Sequence, residues 1–287
     1  MRIFGFLFWL GALVAQPAWA EAPAKLKQLE QQLAALAAEN PGDYGIAAMD
    51  LSTGAVISFN GETSYPMAST MKIAVAAAFL AEVDAGRRSL NDEIAGVPVL
   101  KLMDQMITRS DNRATDLLLA TLGGPQAVDA WMRSHGLSGI RIDRTIAQLL
   151  RDRRDLRDAR DSSTPTAMLG LLRLINGGPA LSPMSRSVLL DMMGRCITGK
   201  NRMRGLLPPW ARVEHKTGTL AGYASDVGFL TLPNGRRIAV ALFARGGDDR
   251  PAVIASAARR IYDAFGEQSP AFTQLGDPQA SLAQGTD

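Results

Sequence analysis

A chain of 287 residues in which 31 Lys and Arg face 28 Asp and Glu carries a formal charge of only +3, a surplus too mild to argue for a nucleic-acid partner. Nearly half of it is apolar, enough for a large core shared by two lobes. A single cysteine, Cys196, excludes an internal disulfide and reads as a small buried apolar residue. With only His135 and His215 as histidines, and no HExxH or GxSxG, neither a zinc site nor a nucleophile-elbow hydrolase is supported.

The first twenty residues, MRIFGFLFWLGALVAQPAWA, join Arg2, an apolar run and an Ala18-Trp19-Ala20 site. That pattern predicts a cleavable secretory signal over 1–20 and an exported protein, periplasmic or secreted, beginning near Glu21. No later stretch approaches the roughly 18 consecutive apolar residues of a membrane span. From Ala24 to Asn40, Leu26, Leu29, Leu33, Leu36 and Ala37 recur at helical spacing. GIAAMDL and AVISFN then flank Ser52-Thr53-Gly54 and read as a β-hairpin.

From about Met71 to Arg195 the pattern is helical, broken at Gly86, Gly123-Gly124-Pro125, Gly136, Pro165 and Gly177-Gly178-Pro179. Within it RDRRDLRDAR at 151–160 mixes both charges and reads as a self-paired surface. After Pro208-Pro209 strands return in ARVEHKTGTL, DVGFLTL and RIAVALFA, the last two joined by an Asn234-Gly235 turn. A closing helix is predicted from about Pro251 to Gly266, and the tail over 269–287 lacks an apolar face and is predicted disordered.

This order predicts an α+β fold in which a single domain over 21–268 has two lobes. One is a five-stranded antiparallel sheet flanked by helices, built from about 24–65 and 205–267, and the other an inserted all-helical lobe over about 66–204.

Only six of the basic residues are lysines, so this chain supplies positive charge mainly as arginine. Lys72 therefore stands out, three residues after Ser69 in ASTMK and at the head of the apolar run IAVAAAFL. Unlike arginine, a buried lysine can lose its proton near neutral pH and serve as a base. Ser-x-x-Lys alone is a weak signal, since Ser69 would equally serve as a helix N-cap. Two further motifs occur once each: Ser110-Asp111-Asn112 before an apolar helical run, and Lys216-Thr217-Gly218-Thr219 on a predicted strand.

Together the three supply what acyl transfer needs without histidine. Lys72 shares a helix face with Ser69 and could take its proton, given a pKa lowered by burial and by the like charge of Lys216. The amides of Ser69 and Thr219 could stabilise the oxyanion. Ser110 would pass a proton to the departing nitrogen and Asn112 would hold a substrate amide. Gly218 would let substrate backbone lie along the strand.

The trio is the signature of class A β-lactamases and penicillin-binding proteins, and the sequence resembles that superfamily, most closely the class A β-lactamases. The resemblance runs from about Leu26 to Gly266 and includes Arg141-Ile142-Asp143-Arg144, Asp161-Ser162-Ser163-Thr164-Pro165, and TGKNRMRGLLPPW leading to His215-Lys216-Thr217-Gly218. It implies an acyl-enzyme at Ser69, a β-lactam or D-Ala-D-Ala-type substrate, no cofactor or metal, and a monomer. It also implies that Arg144 and Asp161 pair to pin the omega loop, and that Arg202 binds the substrate carboxylate with Thr217 and Thr219. A solvated surface charge or ion pair is the competing reading of Arg202.

Class A enzymes carry an omega-loop glutamate, with an asparagine a turn later, to activate the water that hydrolyses the acyl-enzyme. Here Ile146 and Leu150 align with those positions, and there is no glutamate between Glu93 and Glu214. Only Asp152, Asp155 and Asp158 could substitute, and each has arginine neighbours. The departure predicts acylation followed by slow release. Only 38 positions separate Lys72 from Ser110, fewer than is usual in class A, which implies a more open cleft. The readings are then a β-lactam hydrolase, a D-alanyl-D-alanine carboxypeptidase acting on peptidoglycan stem peptides, and, ranked last, a non-catalytic β-lactam or muropeptide sensor.

Overall fold

The computed structural model describes residues 24–153 and 155–266. The predicted secretory signal and the tail from Ser269 lie outside the described residues. The chain opens with α1 (Ala24–Glu39), β1 (Asp43–Asp50) and β2 (Val56–Phe59), and then β3 (Tyr65–Pro66) leads through a 3-10 turn (Ala68–Met71) into α2 (Lys72–Asp84). A small pair, β4 (Glu93–Ile94) and β5 (Val97–Pro98), precedes α3 (Val99–Thr108), α4 (Asn112–Leu122), α5 (Pro125–Ser134) and α6 (Ile146–Arg151). After β6 (Ser162–Ser163), α7 (Pro165–Gly177) and α8 (Pro183–Gly194), the chain closes with β7 (Arg212–Leu220), β8 (Tyr223–Thr231), β9 (Arg237–Arg245) and α9 (Arg250–Gly266).

The result is an α+β fold around a five-stranded sheet of order β2-β1-β9-β8-β7. Every neighbouring pair is antiparallel, and β1 lies on β9 from Asp43 opposite Arg245 to Asp50 opposite Ile238. Both ends of the described chain thus build one sheet, with the helical segments inserted between them. Strand β7 forms one edge of that sheet. The two-residue strands β3 and β6 pair with each other, as do β4 and β5, and each is too short to show an alternation in sequence.

Period-2 alternation on β9 divides the core. Ile238, Val240, Leu242 and Ala244 cluster with Leu26, Leu29, Leu33 and Leu36 of α1 and with the buried face of α9. Ala239, Ala241 and Phe243 join the second cluster, centred on α2. That helix is buried from Lys72 to Leu80, because a helix apolar on all sides has no face to give to water. Helices α3, α4, α5 and α8 surround it. Strand β8 starts at Tyr223, three residues before the sequence reading placed it. The Ala221-Gly222 link turns tightly, with Gly222 at φ +74, and carries β7 straight back from Leu220 to Tyr223.

Candidate active site

Ser69 sits inside the 3-10 turn, half-buried, and caps no helix: neither the turn nor α2 has a side-chain cap. Ala68 just before it is held at φ +48, a left-handed conformation unfavourable for a residue with a Cβ. Neighbours fix that turn. Thr70 donates its hydroxyl to the Met67 carbonyl at 2.7 Å, the Met67 amide donates to the Asp161 carbonyl at 2.9 Å, and the Tyr223 hydroxyl donates to the Pro66 carbonyl.

Strand β7 packs against the same turn, and Gly218 makes the approach possible. A Cβ there would lie 2.7 Å from the Met67 carbonyl oxygen and 2.4 Å from Ser225 Oγ. The structure thus gives Gly218 a reason of its own, independent of substrate: it seats the serine turn on the strand.

Lys72 begins α2 and is fully buried. Its Nζ donates to the Ser110 carbonyl at 2.7 Å, Asn112 Oδ1 at 2.8 Å and Ser110 Oγ at 3.2 Å, and approaches the Asp111 carbonyl at 3.4 Å. None of these contacts is to Ser69, whose hydroxyl has no hydrogen bond among the described residues. Burial first, then the charge of Lys216, bring the Lys72 pKa down to about 7. Lys216 on β7 is equally buried and donates to Ser110 Oγ at 3.0 Å and to the Thr217 carbonyl at 2.9 Å. Burial lowers its pKa to about 8.

Ser110 Oγ therefore lies between two amines that burial makes more acidic than a free lysine. The local sequence explains how. Ser110 takes φ +62, and Asp111 N-caps α4 by accepting the Ala114 amide at 2.7 Å, so the turn aims Ser110 and Asn112 at Lys72. In the sequence the three motifs are far apart. Here the Ser110 hydroxyl joins its own motif to the other two.

Arg202 is buried, which overturns the reading of a solvated surface charge. Its guanidinium donates to the Gly218 carbonyl at 2.8 Å, the Ser225 carbonyl at 3.0 Å and Thr219 Oγ1 at 2.8 Å, while Nε has no partner. No carboxylate lies within ion-pair distance of it among the described residues. Thr217 bonds elsewhere, to Thr198 Oγ1 at 2.6 Å. Cys196 is buried with Sγ 3.3 Å from that same Thr198 hydroxyl.

The omega-loop segment is built on ion pairs. Arg144 Nε bonds Asp161 Oδ2 at 2.6 Å, and its other nitrogens reach Asp152 at 2.7 Å and Asp158 at 3.3 Å. Asp161 also accepts the amides of Asp143 and Arg144 at 2.8 and 3.0 Å. The bidentate grip of Arg160 holds the Asp158 carboxyl down at about 2, too weak for a base near neutral pH. Asp152 is shared by Arg144 and Arg160, and Asp155 is exposed and accepts the Arg157 amide. Ile146 is 4% exposed within the core cluster, while Leu150 is 55% exposed.

Sequence reasoning missed Asp116. One turn along α4 from Asn112, it accepts the amides of Ile146 at 2.7 Å and Ala147 at 2.9 Å, anchoring the N-terminus of α6. A capping box between Thr145 and Gln148 completes that terminus. The i, i+4 spacing of Asn112 and Asp116 was the one available signal.

Comparison with known proteins agrees with this geometry. The model of the beta-lactamase enzyme family matches residues 28–265. The carbapenem-hydrolyzing beta-lactamase KPC of Klebsiella oxytoca is 31% identical, covering 93% of this chain and 99% of its own. The extended-spectrum beta-lactamase PER-1 of Pseudomonas aeruginosa is 27% identical over 84% of this chain and 89% of its own. Among solved structures, an ancestral class A beta-lactamase gives a TM-score of 0.79 at 36% identity, covering 83% of this chain and 100% of its own. A beta-lactamase from Chitinophaga pinensis gives 0.78 at 29% identity over 83% and 99%.

Proposed function

The chain belongs to the beta-lactamase enzyme family as a serine beta-lactamase-type hydrolase of the class A fold, and we propose that it is exported, acylates Ser69 with β-lactams and releases the opened product slowly. Ser69 Oγ bonds to the lactam carbonyl carbon as its proton passes to Lys72, and the lactam C–N bond then breaks. The nitrogen takes a proton from Ser110, which Lys72 restores through the 3.2 Å contact. Lys216 and Arg202 stabilise the substrate's negative charge, Arg202 together with Thr219. The amides of Ser69 and Thr219 receive the oxyanion.

The single observation that carries this reading is the Ser110 hydroxyl held between two buried lysine amines, one with its pKa near 7. Slow release follows from Ile146, a side chain with no proton to move. Loss of a positioned base lowers a rate by about 10²- to 10⁴-fold.

The test is an intact-mass time course of the mature protein with excess penicillin, followed by removal of unbound drug. The expected result is a penicilloyl adduct at Ser69 that lasts many minutes. An adduct that disappears within seconds, with ring-opened drug accumulating, would overturn slow release. A D-alanyl-D-alanine carboxypeptidase is the second reading, favoured by the position of β7 at the edge of the sheet, along which an extended stem peptide could lie. Release of D-alanine from such a peptide would establish it.

A further inference from the structure

We propose that His215 and Asp226 are positioning residues, holding the loop around Arg202 so that its guanidinium stays in the cleft to receive the substrate carboxylate. This rests on the reading of Arg202 given above.

His215 and Asp226 are fully buried, on β7 and β8, and neither takes part in the proposed chemistry. His215 Nδ1 lies 2.7 Å from Asp226 Oδ1, and Asp226 Oδ2 accepts the Met203 amide at 3.1 Å. On its other side the imidazole faces Arg204, whose Nε donates to His215 Nε2 at 3.2 Å. A ring nitrogen that accepts from a guanidinium carries no proton, so the ring is assigned as the neutral tautomer with Nδ1–H donating to Asp226. Arg204 also donates to the Val213 carbonyl at 2.5 Å and the Gly194 carbonyl at 2.9 Å. Residues 203 and 204, next to Arg202, are thus both tied to the sheet through this pair.

Alternation along β7 makes the arrangement regular. His215, Thr217 and Thr219 share one face, and take Arg204, Thr198 and Arg202 respectively from the preceding loop. Arg202 needs such restraint. Burial disfavours its charge, its Nε is unpartnered, and no carboxylate lies within ion-pair distance of it among the described residues, although the more distant charge of Asp226 favours it. Three hydrogen bonds, to the Gly218 and Ser225 carbonyls and to Thr219 Oγ1, hold the guanidinium inward, and all three can form together only while the backbone on which Arg202 stands is fixed.

A purely structural role would affect every ligand alike, whereas positioning of Arg202 affects only ligands that bear a carboxylate. The experiment therefore compares a penicillin with its methyl ester. It measures the dissociation constant of the initial complex and the acylation rate at saturation, for wild type, Arg202→Ala, Arg204→Met, His215→Asn and His215→Gln. Arg202→Ala should weaken the acid about 30-fold and the ester less than about twofold. His215→Asn keeps a donor for Asp226 but loses the acceptor for Arg204, and Arg204→Met loses the donor. Each should weaken the acid about tenfold and leave the ester within about twofold, with acylation at saturation unchanged. His215→Gln, which can still accept from Arg204, should recover part of the loss.

Equal losses on acid and ester in His215→Asn and Arg204→Met, or no loss on either, would overturn the positioning role. If Arg202→Ala itself fails to separate acid from ester, the reading of Arg202 is what fails, and the positioning role falls with it. Arg204 is half-buried, so Arg204→Met carries the test should the buried His215 variants not fold.

Discussion

The lysine cluster and the omega-loop segment are both tied to α4, yet their charges are arranged in opposite ways. Lys72 and Lys216 are buried with no carboxylate in ion-pair contact among the described residues, and oxygens of Ser110, Asn112 and Thr217 surround them. Such cations keep low pKa values and can exchange protons. In the loop the arginines lie directly on carboxylates: Arg144 on three aspartates, Arg160 on two, Arg141 on Asp143. Those pairs neutralise each other in place and leave Ile146 where the resemblance puts a glutamate. In the proposed mechanism one region moves a proton, and the other stays put.

Lys72→Ala removes the amine on which the cluster's proton mobility would depend. If the cluster's proton mobility drives acylation, penicilloyl adduct formation should fall by about 10²- to 10⁴-fold or more, followed by intact mass. Adduct formation at the wild-type rate would mean that another group deprotonates Ser69.

Ile146→Glu tests the other region. A carboxylate near the ester should speed adduct release by about 10²-fold. The side chain enters an apolar cluster, so the variant should also be less stable, by about 1–3 kcal/mol in urea unfolding. An unchanged release rate in a folded variant would show that position 146 does not face the acyl group.

The pH profile gives a smaller effect with a definite sign. The proposed mechanism needs Lys72 neutral and Lys216 charged, and burial places them at about 7 and about 8. Acylation should rise as pH climbs through about 7, when Lys72 gives up its proton, and decline beyond about 8 as Lys216 does. Below the lower value each pH unit should cost about tenfold, measured under single-turnover conditions. A flat profile from pH 6 to 9 would separate acylation from both lysines.

What the sequence made legible was whatever is local or periodic. The apolar run RIAVALFA after the Asn234-Gly235 turn marked β9, the leucines of α1 marked its buried stripe, and Ser69 and Lys72 are three residues apart. The opposite holds for the contacts that complete the site. Ser110 reaches Lys72 across 38 positions and Lys216 across 106, which only packing of α2, α4 and β7 can bring about. Arg202 was ambiguous for the same reason, since nothing beside it in the chain reveals whether a loop folds its guanidinium inward. Asp116 went unread because its partners lie 30 and 31 residues onward.

Asp116 also links the two regions, so its replacement gives the mildest test of their independence. Asp116→Ala leaves the Ile146 and Ala147 amides without their acceptor, while the Thr145–Gln148 capping box remains. Loss of a helix-terminal acceptor costs about 1–2 kcal/mol, and amide hydrogen exchange in α6 should accelerate accordingly. On the other side, Asp116 is one of the carboxylates whose charge favours protonated Lys72. Removing that charge lowers the Lys72 pKa, so the acid limb of the acylation profile should move to lower pH. Asp116→Asn, which keeps the size but not the charge, should shift the acid limb in the same direction with less loosening of α6. If Asp116→Ala accelerates exchange in α6 and leaves the acid limb in place, the loop and the lysine cluster are electrostatically independent, and the only link between them is mechanical.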